Sequence, residues 1–167
     1  MDRERGNKLI ISPNYKEKTT MSDVFLSQEE ADELISMEKQ RANDGVTYFP
    51  AGGKSKNLPL ESPDRQESFF LDISRGAINL SKYKYQNRGR QVIVLLRLEI
   101  GGPLHVNPDG EEVPCPHLHI YQQGSRDKWA YPLPTEFTNP DDFWQVLQDF
   151  MSYCNVIKPP NIQRGLE

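Results

Sequence analysis

Between Ser68 and Gly102 the chain carries three successive runs rich in β-branched and aromatic residues, and each run ends at glycine. They are SFFLDISRG, closing at Gly76; AINLSKYKYQNRG, closing at Gly89; and RQVIVLLRLEI, followed by Gly101, Gly102 and Pro103. Such runs, punctuated in this way, read as consecutive strands of an antiparallel meander. The third is apolar on both faces for most of its length, which suits a strand with neighbours on either side, so it belongs at the centre of the sheet. Asn107-Pro108-Asp109-Gly110 then marks a turn, because Pro108 presets φ and Gly110 accepts positive φ. Beyond it HLHIYQQ predicts a fourth strand and KWAYPLP a fifth.

Helical patterns flank these strands. Ser27 followed three residues later by Glu30 is a capping box, and Ala31, Leu34, Ile35 and Glu38 mark one face of a helix over 27–42. Near the other end Asn139 is a candidate N-cap, Pro140 suits the first helical position, and Asp141 and Asp142 suit the positive end of the dipole. Phe143, Leu147, Phe150 and Cys154 then share one face. Residues 45–65 are broken by glycine and proline and read as a loop with one or two short strands. Helix, strands in succession, then helix is an α+β order. The expected architecture is a single curved antiparallel sheet of about five strands with an N-terminal and a C-terminal helix packed on its apolar face. Residues 1–20 are polar and aperiodic and read as a poorly structured extension, in which KLIIS could supply an edge strand. Residues 21–167 form the single domain.

Composition excludes several classes. Twenty basic and 24 acidic residues give a formal charge of −4 and a pI near 5.5, so bulk charge announces no nucleic-acid binder and any such binding needs a local patch. Two cysteines, Cys115 and Cys154, are too few for a disulfide framework. No secretory signal and no apolar run long enough to span a bilayer is visible, so the chain reads as cytoplasmic, with no membrane partner.

Chemistry concentrates in the fourth strand. The chain has three histidines; His117 and His119 stand two apart, with His105 before the proline turn. Alternation in an extended CPHLHIY puts Cys115, His117, His119 and Tyr121 on one face and Leu118 and Ile120 on the other, so the imidazoles are expected to face a groove or solvent. A His-x-His pair can hold a metal from one strand face, with His105 or Cys115 as a third ligand. No carboxylate stands at an established ligand spacing, so no metal site is assigned and no cofactor is expected. Lys82, Lys84, Arg88, Arg90 and Arg97 form a run of cations without an acidic residue, interleaved with Tyr83 and Tyr85. They read either as a solvated edge that deters aggregation or as a surface that tracks phosphates. Arg97 lies inside the most apolar strand and needs a partner: Glu99 on the same face, or a ligand anion in front of the histidine strand.

Together these side chains make the kit of a metal-independent ribonuclease. His105, His117 and His119 would move protons, Arg97 would stabilise developing charge, Tyr121 completes the catalytic set, and Lys82, Lys84, Arg88, Arg90 and Lys128 would hold the backbone of RNA. The competing readings are a protein-interaction factor bound to a cognate protein, and a metal-binding protein centred on the histidines.

The blocks SFFLDISRG, KYKYQNR, LLRLEI, NPDGEEVPCPHLHIY and DKWAYPLP resemble an uncharacterised family of small bacterial and prophage-encoded proteins, over about Met21 to Leu166. More distantly, a basic-aromatic strand, an Arg-containing apolar strand and a proline turn into a His-x-His strand look like the layout of small RNA-cleaving toxins of toxin–antitoxin modules. That resemblance implies an endoribonuclease acting as a toxin-like or defence-associated factor, with Arg97, His105, His117 and His119 at the matching positions. Glu99 stands where a second cation is expected, and the first twenty residues match nothing in the pattern.

Overall fold

A computed structural model of the protein describes residues 25–165, so the expected extension and its KLIIS strand lie outside the described residues. In chain order the elements are α1 (Gln28–Ser36), β1 (Lys39–Arg41), β2 (Val46–Tyr48), β3 (Ser55–Glu61), β4 (Ser68–Arg75), β5 (Tyr83–Gly89) and β6 (Ile93–Ile100). They continue with β7 (His105–Val106), β8 (Glu112–Val113), β9 (His117–Ile120), β10 (Ala130–Pro132), α2 (Phe143–Tyr153), β11 (Val156–Lys158) and β12 (Asn161–Gln163). The α+β class holds, but the single five-strand antiparallel sheet does not. The main sheet has eight strands in the order β10-β9-β6-β5-β4-β3-β1-β11, and two small sheets, β12-β2 and β7-β8, stand beside it. It is mixed, because β1 and β11 run parallel.

Of the additional strands, β2 and β3 lie in the breaker-rich residues 45–65, where one or two short strands were expected, and β1 and β11 lie outside them. β3 contains Pro59 yet pairs with β4 along its whole length, from Ser55 opposite Ser74 to Glu61 opposite Ser68. β1 occupies residues assigned to the first helix. That helix keeps its capping box, Ser27 Oγ accepting from Glu30 N at 3.1 Å and Glu30 Oε2 accepting from Ser27 N at 2.9 Å, but stops at Ser36. Lys39 explains the stop. Its ammonium donates to the carbonyls of Ile35, Met37 and Cys154 at 3.1, 2.8 and 3.0 Å, closing the C-terminal ends of both helices at once. Burial pushes it down to about 8, which still leaves it charged at neutral pH, and pushes the adjacent Cys154 thiol up to about 12. The second helix also starts later than expected. Asn139 and Pro140 form a turn, and Asp142 is the N-cap, its Oδ1 accepting from Trp144 N and Gln145 N.

The expected meander β4-β5-β6 is present, followed by β9 and β10, with β6 inside the sheet between β5 and β9. Alternation sorts its two faces. Leu71, Ile73, Tyr85, Leu96, Leu98 and Leu118 point to the face covered by both helices, where they are buried with Leu34, Leu147 and Phe150. The opposite face carries two rows that cross the sheet. Ser74, Lys84, Glu99 and His117 are successive register partners, and so are Asp72, Gln86, Arg97 and His119. Over the β9 end this polar face is roofed by the β7–β8 hairpin, which the turn at Asn107 and Gly110 closes, Gly110 at φ +89°. Asn107 fastens the hairpin to β10 through reciprocal bonds with the main chain of Ala130, at 2.8 and 3.0 Å.

Candidate metal centre

The three histidines converge under that hairpin. Ring centroids lie 4.7 Å apart for His105 and His119, 5.0 Å for His117 and His119, and 5.8 Å for His105 and His117. Arg97 and Glu99 arrive from β6, as direct register partners of His119 and His117. The imidazoles were expected to face a groove or solvent; instead His117 and His119 are each 1% exposed. The reason is the hairpin, which a strand-by-strand reading of alternation does not anticipate.

Each ring is held by one backbone carbonyl. His117 Nδ1 meets Pro114 O at 3.2 Å, His119 Nδ1 meets Asp127 O at 2.9 Å, and His105 Nε2 meets Lys128 O at 2.8 Å. A carbonyl only accepts, so those ring nitrogens carry the protons and the other nitrogen of each ring presents a lone pair. Among the described residues His117 Nε2 and His119 Nε2 are buried with no hydrogen-bond partner. What faces them is another acceptor: Glu99 Oε2 lies 3.6 Å from His117 Nε2, and Glu99 Oε1 lies 4.0 Å from His119 Nε2. Lone pairs turned toward a carboxylate at this range repel unless a cation sits between them.

The dimensions suit a transition metal. Zinc–nitrogen bonds of about 2.0–2.1 Å in a tetrahedron set neighbouring donor atoms about 3.3 Å apart. The donor atoms of Glu99, His117 and His119 all lie within 4.8 Å of one another, so small side-chain rotations close the set. Carbonyls that fix the tautomer of a ligating histidine are the usual outer support of such sites. The carboxylate whose absence set a metal aside in the sequence is therefore Glu99, on the neighbouring strand; its alternation with Arg97 was the available signal. Glu99 also partners Arg97, as one reading held, with Arg97 Nε 3.0 Å from Oε1, and Asp127 takes the other side of the guanidinium through Nη1. Cys115 does not serve as a third ligand here: its sulfur bonds Glu99 O and Gly102 N, both at 3.3 Å.

Burial, reinforced by the Arg97 charge and partly opposed by Glu99, pulls His119 down to about 4. In the unfolded chain an imidazole titrates near about 6.5, so between the two values the unfolded state holds the extra proton. Stability of the metal-free protein is then full above about pH 6.5 and is lost progressively as pH falls from there to about 4, by on the order of 3 kcal/mol in all. Urea midpoints measured across that window check the slope; a flat series contradicts it.

The remaining residues assigned to the ribonuclease divide. Tyr121 lies outside the cluster: β9 ends at Ile120, the alternation fails there, and the buried phenol bonds Leu26 N and Leu26 O at 2.9 and 3.1 Å, fastening the entry to α1. Arg88 binds Asp72 through Nε and Nη2, the latter at 2.9 Å, and Arg90 in the β5–β6 turn binds Glu67 at 3.0 Å. Lys128 serves the cluster through its carbonyl. Lys82 and Lys84 are exposed on β5 and its approach, without an acidic partner among the described residues. No helix among the described residues is long and apolar enough to cross a membrane.

The fold and site define an α+β protein in which two buried histidines and a half-buried carboxylate cluster on the polar face of a sheet. The chain belongs to a family of unknown function, DUF6978, whose model matches residues 26–156. Neither a curated protein nor a solved structure matches it.

Proposed function

We propose that the protein binds a divalent transition metal of the zinc class through Glu99 Oε2, His117 Nε2 and His119 Nε2, and uses it as a reactive centre. The supporting observation is the pair of buried, partnerless imidazole nitrogens aimed at an acceptor carboxylate. Three protein ligands leave a coordination position for water or substrate, which is the arrangement of catalytic rather than structural zinc. A bound metal there would acidify that water and polarise an incoming oxygen. Arg97 would hold Glu99 Oε1 while Oε2 ligates, and the roofing hairpin, carrying His105, would limit entry of solvent.

RNA cleavage by the imidazoles themselves, in the manner of the toxin-like layout, draws less support. Proton transfer requires hydrogen-bond reach of a substrate hydroxyl, and the His117 and His119 rings, each 1% exposed, do not offer it to a polymer. The test is thermal unfolding with and without metal. Zinc at about a hundred times its dissociation constant adds about 2.7 kcal/mol to a protein that binds it only when folded, which for a chain of this size raises Tm by roughly 5–10 °C. Magnesium, which prefers oxygen donors, is expected to leave Tm in place. No response to zinc, or equal responses to both ions, contradicts the proposal.

A further inference from the structure

The row that supplies the carboxylate also supplies a cation. Lys84 stands directly opposite Glu99 across β5 and β6, and Ser74 directly opposite Lys84 across β4 and β5. The two charges do not pair: Glu99 turns toward Arg97 and the imidazoles, and Lys84 makes no ion pair among the described residues. The hairpin roof covers the β9 end of the polar face. At the β4–β5 end a groove of about 520 Å³ remains, lined by Ser74, Arg75, Gly76, Lys82, Lys84 and Glu99 among others.

That volume lies in the range of small-ligand sites, about 300–1,000 Å³. Its charge is unusual for a chain of net −4: Lys82 and Lys84 stand beside one carboxylate, and the metal reading commits that carboxylate to a cation. Arg75 borders the groove but turns away from the polar face, its guanidinium 5.7 Å from the Tyr83 ring and its Nε donating to Leu80 O at 3.4 Å. The two lysine ammonium groups, exposed and without an acidic partner among the described residues, are available to oxyanions.

We infer that this groove binds the phosphate of a small phosphorylated ligand, with Lys82 and Lys84 holding its oxygens beside the Glu99–His117–His119 centre. The inference rests on the metal reading and extends it by naming the substrate class. A phosphate held by Lys84 beside Glu99 would lie next to the metal-ligating residues, where a bound metal would polarise it; Ser74 Oγ at the wall is a further donor. RNA carries the same chemistry, and the two sources separate by size.

The experiment loads the full chain with cobalt(II), whose visible bands report its ligands, and titrates methyl phosphate, then a short single-stranded RNA. Methyl phosphate is expected to shift the bands in the wild type, and Lys84→Glu is expected to weaken that response at least tenfold while binding one cobalt as before. Bands that ignore saturating methyl phosphate, or a response kept in Lys84→Glu, overturn the groove assignment and leave the metal reading standing. A response to RNA with none to methyl phosphate overturns the small-ligand assignment. Failure to take up cobalt overturns both readings.

Discussion

Glu99→Gln is expected to lower zinc affinity at least about a hundredfold, since loss of groups that merely support a metal ligand already accounts for 10–100-fold. The substitution keeps the shape of the side chain and removes its charge. The fold should tolerate it. The Glu99 side chain is 28% exposed, and Arg97 keeps Asp127 as its partner, so stability of the metal-free protein changes by less than about 1 kcal/mol. The new amide can even donate toward His117 Nε2, which Glu99 cannot do. Zinc affinity from competition with a chromophoric chelator, beside the urea midpoint, separates the two effects. Equal zinc affinity in both proteins removes Glu99 from the ligand set.

Lys39→Met carries the largest expected effect on stability. The replacement keeps most of the apolar stem and deletes the ammonium, so the carbonyls of Ile35, Met37 and Cys154 lose their donor where α1 and α2 end beside β1 and β11. The contact of the ammonium with the Phe69 ring, 4.8 Å from its centroid, is lost as well. Breaking a buried, multiply bonded charge in this way costs about 3–5 kcal/mol. Tm should fall by roughly 6–20 °C, while Lys54→Met on an exposed turn changes stability by less than about 0.5 kcal/mol. Similar stabilities for the two variants would show that the carbonyls are satisfied without Lys39.

How far the sequence discloses this depends on which signals are local. The meander and its central strand are legible because strand-period runs and closing glycines are local signals, and the first helix announces itself through Ser27 and Glu30. β2 and β3 fall in residues 45–65, where one or two short strands were expected, but β1 and β11 are not legible, because they become strands through their pairing. β1 carries Lys39-Gln40-Arg41 and continues a helical pattern, and only the burial of Lys39 against two helix ends cuts the helix short.

The site is legible in its parts and not in its assembly. His105, His117, His119, Arg97 and Glu99 all stand out in the sequence, and Arg97 and Glu99 alternate onto one face as His117 and His119 do. What joins the two pairs is the β6–β9 register, which sets Glu99 opposite His117 and Arg97 opposite His119; no local pattern encodes it. The roof is likewise non-local, fastened by Asn107 to Ala130. Without the roof the imidazoles read as a polar surface; beneath it they read as a donor set. Tyr121 misleads for a related reason, since simple alternation continues past the point where the strand ends.

The most direct measurement is the metal content of the full chain, loaded with zinc, passed through gel filtration and analysed by elemental mass spectrometry beside His119→Ala and Glu99→Gln. One zinc per wild-type chain is expected, with the metal lost from both variants while they remain folded by circular dichroism. A wild-type chain that emerges without zinc, or variants that retain it at the same stoichiometry, would contradict a metal centre at Glu99, His117 and His119.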